Sequence, residues 1–399
     1  MLRLIVALVV LLALPARAAE TSLLAMLRYA PLPAPAVLAP GRVLLAYARA
    51  DLVAGTPGPT AGPGHDRLAA LTTGRGYAYL AGLNAMVAAD WPQASGFDFD
   101  AVEAVLLVEG EVPNAFRLLA GARLPALPAL GRPIAPMGFA EAVRDGVPML
   151  ARGEDLALDF ARRRNPEALG GGMGLSLRIA APAPGLLLAT RDWAEMDEAL
   201  AAAATQQTLA DTREVLALLR GAGGGEDGRG LSQAIMLTPE LYLPDGSTVL
   251  GFDPPRPADD PAREMAAMRE RLAALTAADL PPMPAWSFAM LADRREGAVV
   301  HTRFVLLFEA PEAAAAGAEA MLARLAAMEA GPRRLGLSGQ RIVSEPSGVA
   351  DLHLAVVEAR LPADAPRALA RDVMDRIFGR KPSPMAIGQV PRAVVADPP

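Results

Sequence analysis

A strand, a turn, a second strand and a helix follow one another four times along this chain, and that order confines it to a layered α+β fold. The first copy pairs 102–109 with 115–122 and runs into a Pro-rich, partly helical segment. The second joins 175–181, 186–190 and a helix over 193–204. The third joins 286–293, 298–309 and a helix over 311–328. The fourth joins 340–343, 351–360 and a helix over 363–378. Units of this ββα kind place helices on a sheet face. The expected architecture is therefore α+β: repeated ββα units forming two antiparallel sheets, helices packed on one face, in two related lobes. The pentapeptide Ala-Arg-Leu-Pro-Ala occurs at 122–126 and again at 359–363, which fits an internal duplication.

The lobe boundary is expected at the Gly-rich run 221–230 (GAGGGEDGRG), a flexible polar linker. That divides the chain into an N-terminal lobe, 19–220, and a C-terminal lobe, 231–379. The Pro-rich segment 380–399 reads as a loose tail. A strand is expected over 42–50, and a helix over 77–91 with Leu80, Leu83, Met86 and Val87 on one face. A second helix starts at Asp260-Pro261, and its stripe of Met265, Met268, Leu272 and Leu275 faces the core.

Residues 1–18 carry an address. Arg3 precedes an unbroken apolar run from Leu4 to Leu14, then Pro15 and Ala16-Arg17-Ala18. Charge, short apolar core and a small-x-small end make a secretory signal peptide, cut between Ala18 and Ala19 with Ala16 and Ala18 in the recognition positions. Eleven apolar residues fall short of the ~20 that span a bilayer. The chain beyond is expected to be a soluble periplasmic protein without a transmembrane anchor.

Composition removes whole classes of function. There is no Cys, so thiol nucleophiles, zinc–thiolate sites and disulfides are excluded. The net charge is −6 and becomes −8 once Arg3 and Arg17 leave with the signal peptide, which gives no reason to seek nucleic acid or anionic lipid. The three histidines have no zinc spacing. On the strand around His301, alternation sets Phe304, Leu306 and Phe308 on one face and His301 with Arg303 on the other, which is taken as the solvent face; His353 is expected to point the opposite way from His301. No serine nucleophile elbow exists, and Gly170–Gly174 precedes a strand rather than a helix, so it is no phosphate loop. No cofactor or metal is expected.

Acidic clustering is the remaining chemical signal. Glu154, Asp155 and Asp159 lie together, with Asp155 and Asp159 four apart on one helix face, a spacing that suits proton sharing or a cation. The same acids suit the first turn of a helix that ends at Arg162–Arg164 before Asn165-Pro166, and that helix is the expected structure. Two functions follow. The first is a non-catalytic periplasmic module that binds an envelope protein or a small ligand. The alternative is a carboxylate-dependent envelope hydrolase whose acids would be Glu154, Asp155 and Asp159.

Overall fold

A computed structural model describes residues 21–31, 44–54, 91–109, 115–162, 169, 174–237, 280–330, 335–363, 365, 369 and 372–373. The expected signal peptide, most of the helix expected over 77–91, the helix expected after Asp260 and the expected tail 380–399 lie outside them.

The described strands form one antiparallel sheet, not two. Its twelve strands are β1 (Leu44–Arg49), β2 (Ala104–Glu109), β3 (Ala115–Ala120), β4 (Ala140–Arg144), β5 (Val147–Arg152), β6 (Leu177–Ala180), β7 (Leu186–Thr190), β8 (Gln233–Leu237), β9 (Phe288–Glu296), β10 (Val299–Phe308), β11 (Gly339–Val343) and β12 (His353–Pro362). Their spatial order is β11-β12-β10-β9-β8-β1-β2-β3-β7-β6-β5-β4. On each side of the centre three strands meander outward, the chain jumps to the edge, and the remaining strands return inward. The two sides meet where β1 pairs with β8, Leu45 opposite Met236 and Tyr47 opposite Ala234.

Helices cover both faces, which corrects the expected single layer. One face carries α2 (Ala50–Ala54), α3 (Trp91–Ser95), α4 (Leu127–Ile134) and α7 (Pro311–Ala330); Leu107, Ile179, Leu291, Phe304 and Val357 point into it. The other carries α1 (Leu23–Leu27), α5 (Trp193–Thr205) and α6 (Arg213–Ala222), over Tyr47, Leu106, Leu188, Met290 and Val305. The physical reason is written in the central strands. Gln-Ala-Ile-Met-Leu in β8 and Leu-Leu-Leu-Ala-Thr in β7 are buried at every position, so neither offers a polar face to water.

The glycine run is no flexible linker. Gly221 and Ala222 end α6, Gly223 caps it with φ +72°, and Gly230 N–H donates to Gly224 at 2.8 Å. At Gly228 (φ +70°) a side chain would press on Leu23 and Leu219, so the turn sits wedged between α1 and α6. Glycine here serves close approach and left-handed backbone rather than mobility. The preceding helix also crosses the expected boundary, since α6 packs on β9, β10 and β12.

The two copies of the pentapeptide are not equivalent in space. Residues 122–126 follow β3, whereas 359–363 largely belong to β12.

Close packing fixes α7 as well. Gly317 is buried against Phe308, and a Cβ there would strike the Phe308 ring. Gly→Ala inside a helix ordinarily gains about 0.5–1 kcal/mol. Gly317→Ala is expected to lose about 1–3 kcal/mol instead, because overpacking wins. Chemical-denaturation midpoints at constant slope check the sign.

Candidate functional site

The acids singled out by clustering do not converge. Gly153–Leu156 forms a turn, and the helical piece described between it and Arg162 is a 3-10 turn at Phe160–Arg162. Leu158 bridges to Leu175, which holds this segment extended. Asp155 is committed to structure: its Oδ1 accepts from Arg178 at 2.6 Å and from the Trp193 N–H at 3.3 Å, at the start of α5. Arg178 is fully buried and also donates to the Arg152 carbonyl at 2.8 Å. The guanidinium groups of Arg178 and Arg144 lie 4.8 and 5.0 Å from the Trp193 ring, a stacked cation–π pair. Asp159 accepts from Ala161 N–H at 3.0 Å. Glu154 is exposed. Among the described residues no three His, Asp or Glu side chains are placed to hold a metal ion.

Asp293 and Glu358 are the most deeply buried acids among the described residues, and they occupy adjacent rows on opposite faces of the sheet. In the first row Gln233, Asp293 and Thr302 stand side by side on β8, β9 and β10. Thr302 Oγ1 donates to Asp293 Oδ1 at 2.5 Å and Gln233 Nε2 donates to Oδ2 at 2.6 Å. Burial pushes the Asp293 carboxyl up to about 6, against the pull of these two hydrogen bonds. The cavity beside it, about 40 Å³ and bordered by Ser232, Leu361 and Leu369, is too small for an organic ligand.

The second row is Arg341, Glu358 and Arg303 on β11, β12 and β10. Arg341 NH2 lies 3.0 Å from Glu358 Oε1 and Arg303 Nε lies 3.3 Å from Oε2. Arg360 and His301 Nδ1 each add a contact of 3.3 Å. Burial alone would raise the Glu358 carboxyl; His301, Arg341 and Arg303 together outweigh it and hold the group down at about 2. His301 is thus enclosed between Glu358 and Glu296, not turned to solvent. His353 does point the other way, opposite Phe308 on β10.

A groove of about 600 Å³ adjoins this second row. Its walls are Ala314, Ala315 and Ala318 of α7, Ile342 and Val343 of β11, and the connection 344–352 with the start of β12. Arginines tie that connection down from its other side. Arg213 and Arg220, two turns apart on α6, donate to the carbonyls of Ala350 at 2.9 Å and Ser347 at 3.0 Å. Arg303 adds an ion pair to Glu345 at 3.1 Å. The lining of the groove is mainly apolar with a few polar groups, the usual chemistry of a binding site.

Sequence reasoning missed Asp293 and Glu358. The signal was available in the alternation. Glu358 has the parity of the core residue Val356, and Asp293 that of Leu291.

No family model matches the chain, and no curated protein matches it. Among solved structures the chain is similar to TP0453. In crystal form III the identity is 10% and the TM-score 0.37, covering 86% of this chain and 99% of that one. In crystal form I the identity is 12% and the TM-score 0.36, covering 87% and 97%.

The buried acids give opposite pH dependences. Folded Asp293 keeps its proton up to about 6, whereas the unfolded carboxyl loses it near 3.8, so its contribution to stability falls as pH rises between them. Asp293→Asn is expected to remove that slope and to be more stable than the parent at pH 7.5, by on the order of 3 kcal/mol. Denaturation from pH 4 to 8 checks it. Glu358 runs the other way. Its stabilisation is present above 4.5 and lost as pH falls toward 2. Glu358→Gln is expected to lower Tm at pH 7, with the gap closing as the medium is acidified through that window.

Proposed function

We propose that this is a non-catalytic, exported binding protein whose ligand or partner occupies the groove between α7, β11 and the 344–352 connection. One observation carries the reading: the groove is apolar, concave and braced from behind by three arginines. The buried acids do not make a catalytic pair. Asp293 and Glu358 lie on opposite faces, each saturated by its own donors. Glu154, Asp155 and Asp159 sit in an extended segment and a turn, with Asp155 bound to a buried arginine. That arrangement supports binding over carboxylate hydrolysis.

Export to the periplasm rests on the N-terminal charge, apolar run and cleavage pattern. None of the described helices is long and apolar enough to cross a membrane. An internal duplication is supported by the sheet, whose two halves share one plan: three strands out from the β1–β8 pair, then a return from the edge. Strand–strand–helix order recurs within it as β2-β3-α4, β6-β7-α5 and β9-β10-α7.

Native mass spectrometry of the protein purified gently from its own host tests the reading. The expected spectrum carries a bound molecule or a co-purifying protein. Ala315→Trp, which fills the groove from an exposed position on α7, is expected to abolish that extra mass. The double variant Glu154→Gln, Asp159→Asn is expected to retain it. A bare chain from the parent, or extra mass unchanged by Ala315→Trp, would overturn the proposal.

A further inference from the structure

The groove is a gap in the sheet as well as a hollow in the surface. β12 has ten residues, and β10 pairs with all of them on one side. On the other side β11 pairs only with Val356–Arg360. The chain leaves β11 after Val343 and returns through the 344–352 connection, so among the described residues no strand pairs with the first three residues of β12 on that flank. The groove runs along that flank. Its walls come from both faces of the sheet, Ala314 and Ile342 from one and Val343 and Leu354 from the other, which is the lining expected of a slot at a sheet edge.

Backbone polarity in the slot follows from the two-residue period. The Arg360 carbonyl accepts from Ser338 on the β11 side, and Ala363 N–H donates to Ala298 on the β10 side. Even-numbered residues of β12 therefore turn their N–H and C=O toward β11, and at Leu354 the same groups face the slot. No described strand takes them up. An unpaired edge of this kind templates another strand. Charge selects further. The charged lining among the described residues is Glu345 and Asp351, with His353 and neither Lys nor Arg.

We propose that an extended peptide segment of a partner protein adds as a short strand beside Leu354, continuing the line of β11. Its apolar side chains lie against Ala314, Ala318 and Ile342, and a Lys or Arg meets Asp351. This rests on the groove being the binding site. The three residues without a β11 partner give about 10 Å of edge, and Leu354 among them offers two backbone hydrogen bonds. Side-chain contacts in the groove supply the remaining affinity, as in other cases of strand addition.

Random nonapeptides displayed on phage, panned against the whole protein, provide the probe. Nile red, an uncharged apolar dye, serves as a small control. Peptides that alternate apolar residues and carry a Lys or Arg are expected, and a synthetic copy should slow amide exchange at Leu354. Leu354→Pro removes the outward N–H at a position where an edge strand tolerates proline. It should weaken the peptide about tenfold, a change of one hydrogen bond or slightly more, and the dye, which takes no backbone hydrogen bond, by distinctly less. Ala315→Trp should weaken both. Dye that Ala315→Trp expels, together with peptides that bind Leu354→Pro as they bind the parent or with no selected peptide at all, would overturn strand addition and leave the groove reading intact. Neither probe responding to Ala315→Trp would overturn both.

Discussion

The pairing of β1 with β8 at the centre of the sheet is the constraint on which the rest of this protein depends. It joins two outward-running sets of strands into one ladder of twelve. A sheet that wide cannot leave a face to water when its central strands are apolar at every position. Both faces must then be roofed, and the helices divide between them. The antiparallel order departs from the usual habit of doubly covered sheets, which are mostly parallel. Here hairpins do the connecting and helices are inserted between them.

Polar side chains enter this apolar sheet in two neighbouring rows, and they are handled differently. Asp293 is given two neutral donors and no cation, so burial dominates and the acid is held close to its proton. Glu358 is given arginines from β10 and β11 and from its own strand, so charge dominates and the acid stays ionised. The second arrangement has a structural consequence. Arg303 is held by Glu358 and also reaches Glu345 and the Gly221 carbonyl. One guanidinium thereby links the sheet, the end of α6 and the connection that walls the groove.

The positions of many strands along the chain could be read from residue pattern. The strands of β2, β3, β6, β7, β9, β10 and β12 and the helices α5 and α7 lie where alternation, turns and caps place them. Asp192 caps α5 through its bond to Glu195 N–H, as its residue type implies. What escaped was long-range. Whether strands 44–49 and 233–237 share a sheet depends on a contact between distant segments, which local pattern does not encode. The glycines of 221–230 were misread because composition cannot separate a mobile glycine from one that lets α1 approach. The acids 154, 155 and 159 were favoured for lying close in sequence. Parity against the core, which marks Glu358 and Asp293, was the more telling property.

The central pairing also sets an order of events. Leu45 and Met236 are about 190 residues apart, so one flank of β1 has no partner until β8 has been made. During synthesis β1, β2 and β3 can assemble first, but they do so with an apolar strand edge open. Contacts this distant in sequence close slowly, and an open edge invites pairing with the wrong chain. The same contact that unites the finished sheet therefore makes the half-made chain its own hazard.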